Sequence, residues 1–287
     1  MGGVIAPEEP STSAPRARSA DPITGSKAER RRAQWELLRT LTHRELRGRY
    51  RDSVLGSAWT LLQPLLMTGI YYFIFSFLFA TSSIPNYALF VLVGIILFNF
   101  FSNVVSTGTS SLLANADIIR KVWFRREIIP MSVALANALT TGILLILTLA
   151  ACVWANPDAL RTVWLVPIAF AGLTALVFGL ATLLAVANVF FRDTAHFVGV
   201  ILLPLFFLTP VFYSLSNFPV MPPDWVVMVM RYGNPLTPYL EMIRATGLEG
   251  TVPGWSLFAY CLVVGPAMAL LGVWTLRRKD DQMAIEL

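Results

Sequence analysis

The chain has 287 residues, of which 56% are hydrophobic and only 14% charged. Soluble domains carry about 25% charged and 45–50% apolar residues, so this composition excludes an ordinary soluble globular protein and predicts an all-α integral membrane fold. The net charge of +5 fits basic loops held on one side of a membrane better than a nucleic-acid surface.

Residues 1–25 are rich in Pro, Ser, Ala and Arg and contain no apolar run of the kind a signal peptide needs. They are expected to form a disordered cytoplasmic tail. Over residues 26–52, Trp35, Leu38, Leu41 or Thr42, and Leu46 recur at helical spacing among Arg31, Arg32, Arg39, Arg44 and Arg47. That pattern predicts an N-terminal amphipathic interface helix in the headgroup zone. A cytoplasmic helix packed on a partner subunit satisfies the same spacing.

Residues 53–276 read as six transmembrane helices, each needing about 20 residues to cross the hydrocarbon. No Asp, Glu, Lys or Arg occurs from Ser53 to Ala116. The polar, proline-marked stretch from Thr81 to Ala88 divides this run. Span 1 is predicted over Trp59 to Ala80 and span 2 over Tyr87 to Thr109. A polar and basic loop, Leu112 to Pro130, follows. Spans 3, 4 and 5 are predicted over Ile128 to Trp154, Val163 to Phe190 and Phe197 to Tyr213, the last broken by Pro204 and Pro210. Ser214 to Gly254 is semi-polar and rich in Pro and Gly, and its apolar pieces are too short to span. It is expected to form re-entrant or interfacial helices. Span 6 covers Trp255 to Leu276, and residues 277–287 form a cytoplasmic tail.

Basic residues concentrate in the N-terminal region, the 112–130 loop, the 191–196 turn and the C-terminus. Both termini are therefore expected to be cytoplasmic, and the arginines before span 1 to pin it at the inner surface. Cys152 and Cys261 lie inside apolar runs and are read as buried hydrophobes, not a disulfide or metal pair.

No predicted span carries an interior Asp, Glu, Lys or Arg, and His43 and His196 are the only histidines. Neither intramembrane catalysis nor ion coupling is visible in such a pattern. The dipeptide Gly-Lys never occurs, so the chain has no phosphate loop. Any ATP and Mg would have to sit on a separate ATPase subunit, and no cofactor is expected in this chain. Aromatic residues are abundant instead. Tyr71, Tyr72, Phe75 and Phe79 in span 1, with Phe212 and Tyr213 at the end of span 5, are candidates to line a passage, with packing as the competing reading. Flat aromatic faces let a sugar chain stack and slide without strong trapping.

Four segments then carry a resemblance. "RELRGRYRDSVLGSAWTLLQPLL" from Arg44, "VFFRDTAHF" from Val189, "LTPVFY" from Leu208 and "NPLTPYLEMIR" from Asn234 together resemble the permease subunits of polysaccharide-exporting ABC transporters, the O-antigen and teichoic-acid type. They fall in the family's order across residues 35–276. The resemblance implies a homodimer of six-span subunits with two copies of a cytoplasmic ATPase. It also implies export of undecaprenyl- or decaprenyl-diphosphate-linked polysaccharide across the bacterial inner membrane, without enzymatic activity in this chain. The Pro/Arg/Ala-rich tail is similar to that of actinobacterial members, which export galactan. A permease of the same architecture for a drug or lipid is the alternative, and a membrane enzyme or assembly scaffold a third.

Under the resemblance the 112–130 loop becomes the coupling helix, with Asp117, Arg120, Lys121, Arg125 and Arg126 as candidate ATPase contacts. A positive-inside loop with no further role is the competing reading. The Ser214 to Gly254 segment becomes a pair of gate helices, with Trp225, Tyr232, Asn234, Pro235 and Tyr239 as candidates. Arg47, Arg49 and Arg51 lie at headgroup depth, where guanidinium groups suit either a carrier diphosphate or anionic lipid.

Overall fold

The computed structural model describes residues 27–50, 56–78, 84–121, 124–215 and 223–286. The described residues are helical and contain no strand. The expected tail over residues 1–25 lies outside them.

Helix α1 (Lys27–Tyr50) precedes α2 (Trp59–Leu78), α3 (Tyr87–Ala114), the short α4 (Ala116–Lys121), α5 (Ile128–Ala155) and α6 (Val166–Phe190). Next come α7 (Thr194–Leu208), α8 (Asp224–Met228), α9 (Thr237–Arg244), α10 (Trp255–Arg278) and α11 (Asp280–Glu286). Four helices are long and apolar enough to cross a membrane: Tyr87–Ala114, Ile128–Ala155, Val163–Phe190 and Trp255–Arg278. These correspond to predicted spans 2, 3, 4 and 6. The apolar parts of α2 and α7 are shorter, at the positions of predicted spans 1 and 5.

Local chemistry accounts for the boundaries. Asn86 takes a left-handed conformation, φ 51°, and turns the chain into α3; asparagine tolerates that region better than most side chains. Pro167 sits in the first turn of α6, where its missing N–H costs nothing. The fifth apolar segment ends earlier than its sequence suggests. Thr209 is extended, ψ 134°, because it precedes Pro210, and the residue before proline is driven out of the helical region. The chain bends there instead of continuing to Tyr213.

Helix α3 is the centre of the bundle. In its apolar stretch 67% of the residues are buried, against 17% in that of α10. Its residues Val91, Leu97, Phe100 and Phe101 form the main core with Leu173, Leu176 and Val177 of α6 and Leu240 of α9. Helices α6 and α10 run parallel and touch through glycines. A Cβ on Gly272 would lie 2.6 Å from the Gly179 carbonyl oxygen, and one on Gly265 would strike the Gly172 carbonyl. Close backbone approach through small residues supplies the dispersion contact that holds helices together where lipid offers no hydrophobic drive.

A second core lies at the end of the bundle that carries the basic residues. Leu38 and Leu41 of α1, Leu112, Ile128, Ile129, Val189, Leu276 and Met283 of α11 make it. Helix α1 thus buries Leu38 and Leu41 against its own chain, while Leu46 is half-buried and Trp35, grouped with them by spacing, is 66% exposed. Arg44 hydrogen-bonds the Asn115 side-chain oxygen at the α3–α4 elbow.

Candidate substrate passage

Helices α2, α3 and α7 enclose a groove of about 420 Å³, open along one side. Gln63, Met67 and Tyr71 line it from α2; Ile95, Phe98, Asn99, Ser102, Asn103 and Ser106 from α3; Leu202, Leu203 and Phe206 from α7. Asn99, Ser102, Asn103 and Ser106 follow i, i+3, i+4, i+7 spacing and form one stripe on α3. Asn103 and Ser106 are exposed. The side-chain amides of Gln63, Asn99 and Asn103 have no hydrogen-bond partner among the described residues. An unpaired amide in hydrocarbon is costly, so this face is built to meet water, a ligand or another polar surface. No charged residue lines the groove.

Of the six aromatic candidates, Tyr71 lines this groove. Its ring lies 4.4 Å from Phe212 and 5.9 Å from Phe206. Phe212 is only 2% exposed and stacks on Phe75 at 4.8 Å, so these two rings are packed against each other behind the groove. Tyr72, one residue round the helix, is 44% exposed and points towards Tyr87 at 6.1 Å. Tyr213 donates to the carbonyls of Phe207 and Leu208 at 3.2 and 3.1 Å. Phe79 lies outside the described residues. The polar stripe on α3 escaped the sequence reading, although its spacing was present in "NFFSNVVS"; four small polar residues hardly lower the mean hydropathy of so apolar a helix.

The bend after α7 is gripped by side chains from other elements. Arg244 donates to the carbonyls of Phe90 (2.8 Å), Pro210 (2.5 Å) and Val211 (2.8 Å). Its guanidinium carbon lies 3.4 Å from the Phe90 ring centroid. Tyr87 donates its hydroxyl to the Phe212 carbonyl at 2.9 Å, and Asn234 donates to the Thr209 hydroxyl at 2.7 Å. Non-helical carbonyls inside a membrane protein need donors of this kind. Beside this clasp Arg231 and Glu241 form a two-point ion pair, 2.9 and 3.2 Å.

The structure therefore divides the gate candidates. Asn234 anchors the bend and also accepts from the Leu236 N–H. Tyr239 is fully buried and donates to the Cys261 carbonyl at 3.2 Å. Pro235 is half-buried beside them. Tyr232 and Trp225, at 38% and 68% exposure, remain on the surface, in or next to the short helix α8. Gly250, at φ 72°, closes this segment where a Cβ would lie 2.8 Å from the Ala159 nitrogen.

At the basic end Asp117, Arg120, Lys121 and Arg125 are exposed on or beside α4. Arg126 is held internally: it donates to the Asp280 carbonyl at 2.7 Å, and its Nε lies 3.0 Å from the Asp280 carboxylate. Arg277 pairs with the buried Glu127 at 2.7 Å. Burial pushes the Asp280 carboxyl up, against the opposing pull of Arg126. Arg47 is exposed. Arg51 and the side chain of Arg49 lie outside the described residues, and the three arginines are not seen together.

Several apolar helices around an uncharged polar groove define a multi-pass membrane protein of the transport class. The chain belongs to the ABC-2 type transporter family, whose profile matches residues 36–248. It is a transport component and not an enzyme. It is similar to the O-antigen export system permease protein RfbA of Klebsiella pneumoniae, with 30% identity over 242 residues, 78% of this chain and 91% of that protein. A protein of the same name from Myxococcus xanthus is 32% identical over 221 residues, 76% of this chain and 82% of that one.

Proposed function

We propose that this chain is the membrane-spanning subunit of an ATP-driven exporter that moves lipid-diphosphate-linked polysaccharide of the O-antigen, teichoic-acid or galactan class. The observation that carries the reading is the groove: aromatic and amide-lined, free of charge, and open along one side. Such a surface suits a polyhydroxylated chain that must slide. The similarity to O-antigen permeases supports it. Helices α2, α3, α5, α6, α7 and α10 are the six spans, and both termini face the cytoplasm at the basic end of a bacterial inner membrane. A second copy closes the open side of the groove. Two ATPase subunits bind ATP and Mg, and meet the exposed charges of Asp117, Arg120, Lys121 and Arg125. Arg47, Arg49 and Arg51 receive the carrier diphosphate at the inner headgroup level. The residues around α8 and α9 form the outer gate.

The test is depletion of this chain in its host, with polymer measured inside and outside the inner membrane. Lipid-linked polymer accumulating inside, with none reaching the surface, is expected. Unchanged surface polymer with loss of export of a drug or lipid would instead favour the alternative cargo. Arg→Lys at each of the three arginines, with topology checked by cysteine labelling, tests the diphosphate site. Lysine keeps the charge but loses the planar fork. Loss of export at one position with topology intact is expected, and export surviving all three changes leaves these arginines as anchors.

A further inference from the structure

The passage has a chemistry of its own that narrows the cargo. The polar groups facing the groove are amides and hydroxyls: Gln63, Asn99, Ser102, Asn103 and Ser106, beside the ring of Tyr71. Each amide offers both a donor and an acceptor, and each hydroxyl does the same. None offers a fixed charge, and no charged residue occurs anywhere from Ser53 to Ala116. Arg231 and Arg244 line a separate pocket beside the bend after α7 and are engaged there. Arg244 is spent on three backbone carbonyls, and Arg231 on Glu241. A sugar hydroxyl exchanges water for amide partners at little cost. A carboxylate or phosphate in every repeat does not, because a groove that admits the chain strips part of each anion's hydration and returns no counter-charge.

On the reading that this groove is the polysaccharide passage, we infer that the chain selects uncharged glycans and rejects polymers carrying an anion in each repeat. The carrier diphosphate is a single group at one terminus and meets the arginines of the basic end. The repeats behind it traverse the uncharged stripe. This separates neutral hexose polymers from phosphate-linked or uronate-containing ones within the cargo classes considered above.

The experiment uses the chain reconstituted with its ATPase subunit in liposomes. The probes are a neutral hexose polymer on undecaprenyl diphosphate and the same polymer oxidised at its primary hydroxyls to uronates. ATP-dependent movement to the opposite face is measured for each. The neutral polymer is expected to move at least ten-fold faster than the oxidised one. Asn103→Lys, or Ser106→Lys should the first fail to assemble, places a cation in the stripe and is expected to raise movement of the oxidised polymer at least three-fold. Equal movement of both polymers by the unaltered protein overturns the inference and leaves the export function standing. A ratio that neither lysine variant changes removes the stripe as its cause. Movement of neither polymer, with ATP hydrolysis intact, overturns the export reading itself.

Discussion

Arg244 is 3% exposed, and its bonds are made to carbonyls and not to a carboxylate. A guanidinium has five N–H donors in a plane, so one side chain can reach the carbonyls of Pro210 and Val211, which the bend has stripped of helical partners, and that of Phe90 in the first turn of α3. Arg244→Met keeps much of the volume and removes every donor. Each stranded carbonyl costs about 1–3 kcal/mol, so the variant is expected to lose several degrees in the thermal midpoint of the purified protein, with Arg244→Lys in between. A midpoint unchanged in both variants would show that water can replace the clasp. The aromatic residues divide in the same manner. Tyr71→Ala removes a ring from the groove and is expected to slow export more than it lowers protein level. Phe75→Ala opens space against the buried Phe212, a loss of about 1–3 kcal/mol for a half-buried ring, and is expected to lower export and abundance together. Export per molecule, from transport assays normalised to immunoblot, separates the two.

At the scale of elements, the helices were legible because apolar runs and their polar breaks are local. The predicted starts of spans 2, 3 and 6, Tyr87, Ile128 and Trp255, coincide with helix starts. The early end of α7 was legible in principle, since Pro210 dictates the conformation of Thr209. What pairs with what was not. Arg244 and Phe90 lie 154 residues apart, and no pattern within one segment announces their contact. The two arginines before α5 illustrate the same limit. As neighbours in sequence, Arg125 and Arg126 look alike, yet Arg125 faces solvent while Arg126 fastens α11 to the start of α5. Their charge reversals are therefore expected to differ. Arg125→Glu should weaken co-purification of the ATPase with little effect on stability. Arg126→Glu should expose residues 280–286 to faster hydrogen exchange, and the swap Arg126→Glu with Asp280→Arg should restore protection. Identical behaviour of the two single variants would place both arginines in one role.

At the scale of the molecule, the exposed faces are of two kinds. On α5 the outward residues Leu139, Ile143, Ile146 and Leu147 are apolar, as a face in lipid must be. On α3 the outward residues Asn103, Ser106, Thr107 and Ser110 are polar, although both helices are of spanning length. A single hydrocarbon environment cannot suit both, so the two sides of the bundle face different surroundings. Under the proposed function, lipid covers α5, and water enclosed by a second copy covers the stripe on α3. A single cysteine at each site reads this difference directly, since Cys152 and Cys261 are both buried. Asn103→Cys and Ser106→Cys are expected to react with a water-soluble, membrane-impermeant thiol reagent in intact membranes and to be linked between copies by a short bis-maleimide. Ile143→Cys and Ile146→Cys are expected to do neither. The reagent needs a thiolate, which forms in water and not in lipid, so labelling reports hydration and linkage reports proximity. Labelling without linkage at Ser106→Cys would keep the aqueous groove but dismiss the second copy as its wall. Equal silence at all four positions would return the α3 stripe to the interior of a different assembly.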